Sequence, residues 1–223
     1  MTDGAVTAAA AAPPWWRHLA IEGTLGVGKT SLAVRLAAHV GAATLLEQPH
    51  DNPFLERFYA DPAGQALRTQ LCFLAQRARQ LAVLAQPGAF ARRPIVADYL
   101  FDKDALFARL TLDDDDLRLY GALHAQLAPR LPAPDVVIWL RAGPEALLAR
   151  IARRGRPMEH AVDAGYLARV SDAYAAHFAA YRAAPVLAVD TEQFDPVGSD
   201  ADFRHLLARL AALEQEAVPR RPA

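Results

Sequence analysis

Apolar residues along this 223-residue chain follow two rhythms. Five short runs are apolar almost throughout: 18–22, 42–46, 94–97, 135–140 and 185–189. They lack clean polar alternation, which is how strands covered on both faces read. Between them, apolar residues recur at helical spacing. One helix is expected from Asn52-Pro53 to about Tyr59, with proline at its first position. A second starts at Asp61-Pro62 and reaches about Gln86, with Leu67, Leu71, Leu74, Ala78 and Leu81 as its apolar stripe. Cys72 lies inside this helix and reads as core. Asp113 to Asp116 precede Leu117 and read as a helix cap that complements the dipole. Further helices are predicted after Pro144, over Tyr166 to Tyr181 and over Phe203 to Leu213. Strands alternating with helices predict an α/β fold: a five-stranded parallel sheet with helices on both faces and right-handed crossovers. Residues 15–216 read as a single domain, with 1–14 and 217–223 as disordered tails.

The first run leads directly into Gly23-Thr24-Leu25-Gly26-Val27-Gly28-Lys29-Thr30, which fits G-x-x-x-x-G-K-T. Strand, glycine loop and helix in that order form a phosphate cradle. Glycines let backbone N–H groups point inward, and the helix N-terminus adds partial positive charge. Lys29 can reach the β- and γ-phosphates of a nucleotide such as ATP, and the Thr30 hydroxyl can ligate Mg²⁺. With the strand–helix alternation, the motif predicts a P-loop NTPase fold.

Open α/β sheets bind ligands at the carboxyl edge of their strands. Strand two ends at Glu47, strand three at Asp98 and strand five at Asp190-Thr191-Glu192, so three strands point an acid at the rim that carries the phosphate loop. An acid just beyond a buried strand and near such a loop is where a magnesium-organising carboxylate sits, which assigns Asp98 with Thr30 to the metal; the alternative is a cap for the helix that follows. Gln70 and Arg77 are seven apart and share a helical face. They either satisfy each other and nearby backbone or read a polar ligand edge. After strand four, Arg150, Arg153, Arg154 and Arg156 crowd into seven residues, with Gly155 ending the helix. Clustered guanidiniums grip phosphate oxygens, so this stretch reads as an arginine-rich lid over ATP.

Composition narrows the classes. With 24 basic and 25 acidic residues, nothing global argues for nucleic acid or a membrane surface. One cysteine excludes an internal disulfide framework and fits a reducing cytoplasm. No apolar run approaches the roughly 18 residues of a membrane span. The Ala8 to Ala12 run lacks the basic flank and leucine-rich core of a signal peptide.

Taken together, these motifs resemble the deoxyribonucleoside kinase family, especially its bacterial deoxyadenosine and deoxyguanosine kinase branch. The resemblance runs from about Leu19 to Phe194 and is carried by the loop, Glu47, Asn52-Pro53-Phe54-Leu55 through Tyr59, Gln70 with Arg77, the Asp98 segment, and Arg150 through Glu159. It implies that Glu47 is the general base toward a nucleoside 5′-hydroxyl, and that Tyr59 and Glu159 hold the 3′-hydroxyl. It implies that Gln70 pairs with the base, with Arg77 and Asp104 beside it. Arg150, Arg154 and Arg156 match the lid arginines, and Gln193-Phe194 the loop beside the adenine of ATP. A homodimer through the 61–86 and 113–128 helices is likewise implied by the family. The chain departs from the family at Tyr99 and Leu100, where an arginine and a serine are usual.

Two other readings compete. A nucleoside monophosphate kinase of thymidylate kinase type shares sheet, loop and lid, but its acceptor carries a phosphate and needs cations beside it. The matching places here are Leu46 and Tyr99, which argues for an uncharged acceptor. A P-loop regulator that binds ATP and transfers nothing has no need of Glu47, Tyr59 and Glu159 together.

Overall fold

The structure is a computed structural model and describes residues 14–86, 88 and 93–217. Five parallel strands form one sheet: β1 (His18–Gly23), β2 (Ala43–Leu45), β3 (Ile95–Ala97), β4 (Val136–Arg141) and β5 (Val186–Asp190). Their order across the sheet is β2-β3-β1-β4-β5. Each lies within a residue or so of an expected run. β2 is shorter than 42–46 because its neighbour β3 stops at Ala97 and the last ladder-like bond is Asp98 N–H to Leu45 O, at 3.1 Å. β4 and β5 each run one residue further, because Arg141 pairs with Asp190. The expected tails lie outside the described residues, apart from Pro14 and Ala217.

The helices are α1 (Lys29–Val40), α2 (Leu55–Ala60), α3 (Pro62–Ala82), α4 (Lys103–Thr111), α5 (Asp114–Leu127), α6 (Pro144–Arg154), α7 (Ala164–Ala180) and α8 (Asp200–Ala217). Their ends follow local chemistry. Asp61 caps α3 by accepting from Gly64 N, and Asp113 caps α5 by accepting from Asp116 N. Gly155 ends α6 in the left-handed conformation at φ 66°. α2 starts at Leu55, later than Asn52-Pro53 suggested. The Asn52 amide is used elsewhere: it donates to Thr69 O on α3 and accepts from Phe54 N. Cys72 is half-buried and not part of the core.

Alternate residues of the central strands serve opposite layers. Leu19 and Ile21 pack with Leu32 and Leu36 of α1 and with Phe203 and Leu206 of α8. Ala20, between them, packs with Leu106 of α4 and with Val170 and Tyr174 of α7. The phosphate loop follows the carboxyl end of β1, and Asp98 follows that of β3.

At the other end of β1, burial pushes the His18 imidazole down to about 4, and the nearby Asp135 only partly offsets this. The folded state therefore favours neutral His18, and the unfolded chain binds its proton first as pH falls below about 6.5. Stability from this residue is present at neutral pH and is lost between about pH 6.5 and 4. Going from pH 7.5 to 5.5 is expected to cost about 1 kcal/mol through His18 alone. Chemical denaturation of the parent and of His18→Leu at both pH values checks this: the variant's pH-dependent loss is smaller by that amount.

Candidate active site

The loop after β1 folds as its glycines require. Gly23 has φ 146°, and a Cβ there would sit 2.2 Å from the Leu140 carbonyl oxygen. Gly26, at φ 84°, packs against α6, where a Cβ would come 2.9 Å from Ile151 Cγ1. Any side chain at either place meets both forbidden backbone and occupied space. Lys29 Nζ donates to Gly23 O at 2.7 Å and Thr24 O at 3.2 Å, across the loop. Burial, then the charge of Lys103, lowers the Lys29 pKa to about 8, although Glu22, Glu47 and Asp98 act in the opposite direction. Val27 is buried in the main core, and the Thr24 hydroxyl lies 3.1 Å from Ser171 Oγ on α7, so neither faces the cavity.

Glu22 escaped the sequence reading. It is fully buried at the end of β1, and its carboxylate accepts from Gly23 N, Leu100 N and the Tyr174 hydroxyl, at 2.8, 2.8 and 2.9 Å. One carboxylate thus ties the start of the phosphate loop to the segment after β3 and to α7. The available signal was an acid in an otherwise apolar strand, which must find partners when buried.

Asp98 turns toward the loop instead of capping α4. Its Oδ2 accepts from Thr30 Oγ1 at 2.5 Å, and its Oδ1 from the Glu47 backbone N–H at 2.7 Å. A hydroxyl and a carboxylate, side by side beneath the phosphate cradle, form a hard oxygen donor set that suits Mg²⁺.

Beside the loop opens a cavity of about 690 Å³, within the range of small-molecule sites. Its walls include Lys29, Thr30, Glu47, Tyr59, Gln70, Arg77, Asp98, Arg154, Arg156 and Glu159, so residues 130 positions apart in the chain converge. Glu47 lies between two cations. Arg77 pairs with its Oε1, and Lys103 Nζ lies 3.2 and 3.0 Å from Oε1 and Oε2. Burial by itself pushes the Glu47 carboxyl up, but Lys103, Arg77 and Lys29 together outweigh it and hold the group well below the usual carboxylate range. Arg77 also pairs with fully buried Asp104. Gln70 and Arg77 do not satisfy each other: the Gln70 amide donates to Thr111 Oγ1 at 3.1 Å. Asp104 lies behind Arg77 and does not line the cavity.

At the opposite wall, Glu159 is buried and accepts from Arg154, with Nη2 at 2.7 Å; Arg156 lies at 3.7 Å. Burial, then Tyr166 and Glu159, raises the Tyr59 phenol above its ordinary value, so it remains a hydrogen-bond donor. Arg150 departs from the expected placement. Its guanidinium reaches sideways to Thr191, to Oγ1 at 2.7 Å and to the carbonyl at 2.8 Å, because the end of β5 offers two acceptors within reach. The strand-five acids also turn away: Asp190 accepts from Glu192 N, and Glu192 from Gly143 N. Gln193 is exposed and Phe194 packs edge-on against His205, both outside the cavity lining.

A glycine loop, a hydroxyl–carboxylate pair and an enclosed carboxylate meet at one cavity, an arrangement that suits phosphoryl transfer from a nucleotide. Comparison with known proteins then gives the family. The family model described as deoxynucleoside kinase matches residues 19–213. A deoxyguanosine kinase of Bacillus subtilis (strain 168) is 34% identical over 199 residues, covering 87% of this chain and 96% of that enzyme. A deoxyadenosine kinase of Dictyostelium discoideum is 35% identical over 162 residues, covering 70% and 64%. Among solved structures, deoxyadenosine kinase from M. mycoides with bound dATP superposes with a TM-score of 0.75 at 23% identity, over 87% of this chain and 99% of that one, a likeness of fold. The chain belongs to the deoxynucleoside kinase family.

The family's departure at Tyr99 has a physical outcome. The ring is buried, and its hydroxyl donates to Gln80 Oε1 at 2.8 Å, away from the cavity. Tyr99→Phe is therefore expected to cost about 1 kcal/mol of stability and to leave kcat within about threefold of the parent. Denaturation and steady-state kinetics check both halves; a large fall in kcat would place the hydroxyl in the chemistry.

Proposed function

We propose that the protein transfers the γ-phosphoryl group of ATP to the 5′-hydroxyl of a purine deoxyribonucleoside, giving the 5′-monophosphate and ADP for nucleotide salvage. The supporting observation is Glu47, a carboxylate kept ionised on the wall of a cavity that shares its rim with the phosphate loop. In the proposed step the 5′-oxygen attacks the γ-phosphorus, the bond to the β–γ bridging oxygen breaks, and the hydroxyl proton passes to Glu47. A carboxylate held so low is a weak proton acceptor, which suits a loose transfer in which the proton leaves late. Arg77 and Lys103 are both paired with acids, so neither is spare for a phosphate on the acceptor. This supports an uncharged nucleoside over a monophosphate acceptor. Thr30 and Asp98 would hold Mg²⁺, which neutralises charge on the β- and γ-oxygens when bound. Lys29 would meet the same oxygens, and Arg154 and Arg156 would act as the lid, released from Glu159 as that residue turns with Tyr59 to the 3′-hydroxyl. Gln70 would read the base, and Arg77 with Asp104 would close that end. Arg150 would brace the lid helix against β5 instead of touching phosphate.

The purine preference draws on the family relatives, which include deoxyguanosine and deoxyadenosine kinases. ATP with each of the four deoxynucleosides tests it: monophosphate forms fastest with a purine, and no product with any of them overturns the reading. Glu47→Gln is expected to lower kcat at least about a hundredfold with ATP binding retained. Gln70→Ala is expected to raise the nucleoside KM well above its effect on the ATP KM; equal shifts would remove its base-reading role.

A homodimer is proposed through α3 and α5. Leu119 and Leu123 stand on the outer face of α5 at 52% and 42% exposed, and Val83 at the end of α3 at 55%. Light scattering is expected to give twice the 24.2 kDa chain mass, and Leu119→Lys with Leu123→Lys to give the monomer. No helix among the described residues is long and apolar enough to cross a membrane. A chain with a single cysteine, Cys72, supports a place in the cytoplasm.

A further inference from the structure

Lys103 opens α4, at a helix N-terminus, where the macrodipole disfavours a cation. It is nevertheless about 9% exposed. A lysine in that position needs a strong partner to offset desolvation and dipole together. The partner is not on its own helix: Asp104, the next residue, is turned to Arg77. It is Glu47, 56 residues away. The two cations divide the Glu47 carboxylate unequally. Arg77 reaches Oε1 through both Nε and Nη2. Among the described residues, only Lys103 donates to Oε2, at 3.0 Å. Without Lys103, the carboxylate would be held at one oxygen and free to turn about it. Lys103 also lines the cavity, with its ammonium 5.6 Å from the centre of the Phe107 ring. No cation comes from the residue after Asp98, because Tyr99 faces Gln80.

We propose that Lys103 is a positioning residue for phosphoryl transfer: it fixes the second carboxylate oxygen of Glu47 and so aims the carboxylate at the acceptor hydroxyl. This rests on the reading of Glu47 as the group that faces that hydroxyl. Lys103 acts through Glu47, so its loss falls on turnover and spares the ATP bound by the loop.

The test compares Glu47→Gln, Lys103→Gln, Lys103→Met, Lys103→Arg and the double variant Glu47→Gln/Lys103→Gln, after melting curves confirm which are folded. A folded neutral variant at Lys103 is expected to lose at least about thirtyfold in kcat with its ATP KM within about threefold of the parent. Lys103→Arg is expected to regain at least about a third of the parent kcat. The double variant should be no more than about threefold slower than Glu47→Gln, since a residue acting through Glu47 has nothing left to position. If Lys103→Gln or Lys103→Met keeps the parent kcat while Glu47→Gln is impaired, the Lys103 inference falls and the Glu47 reading stands. If Glu47→Gln keeps full turnover, both fall. A Lys103 loss that arginine does not regain and that multiplies with the Glu47 loss marks a general structural role and overturns the inference. So does failure of both neutral variants to fold.

Discussion

Four charges at the back of the cavity can be buried only together. Taking one ion from water costs several kcal/mol unless a partner repays it in good geometry. Here Arg77 on α3 bridges Glu47 and Asp104, and Lys103 on α4 completes the pairing of Glu47. The set is neutral overall, with two acids and two bases. It joins the loop after β2 to α3 and α4, so the pairing that makes these charges tolerable also fixes the cavity wall. Removing one member leaves an uncompensated neighbour, and variants in this group are expected to interact instead of adding.

The phosphate side is built on the same logic with backbone partners. Glu22 is satisfied by two N–H groups and a phenol, and through them the start of the loop is tied to β3's exit and to α7. These bonds hold the start of the phosphate loop in register with the segment that carries Asp98. Asp98 continues the connection: it touches Thr30 on one side and the Glu47 backbone on the other. A short path of hydrogen bonds thus runs from the loop to the backbone of Glu47, whose carboxylate is proposed to face the acceptor. Such preorganisation is the protein's main lever in phosphoryl transfer, which needs positioning and charge more than covalent help.

What could be read from the sequence was what is local. The five strands were legible because a strand covered on both faces is a continuous apolar run. The loop was legible because Gly23, Gly26 and Gly28 occupy backbone conformations that other residues rarely adopt. Glu47 and Asp98 stood out because strand ends in an open α/β sheet converge on one edge. The rest depended on tertiary partners. Clustering put Arg150 with the lid arginines, but the acceptors on Thr191 decided where its guanidinium went. Asn52 looked like a helix start, but the carbonyl of Thr69 claimed its amide. Lys103 was hidden because its partner lies on another element; the one local sign was a cation at the wrong end of a helix dipole.

The placement of the acceptor hydroxyl against Glu47 is most directly tested by a crystal structure with a purine deoxynucleoside and a non-hydrolysable ATP analogue. The predicted result is a 5′-oxygen within about 3 Å of the Glu47 carboxylate and in line with the γ-phosphorus held at Lys29. A 5′-oxygen turned away from Glu47, with another group at hydrogen-bond distance from it, would contradict the proposed chemistry.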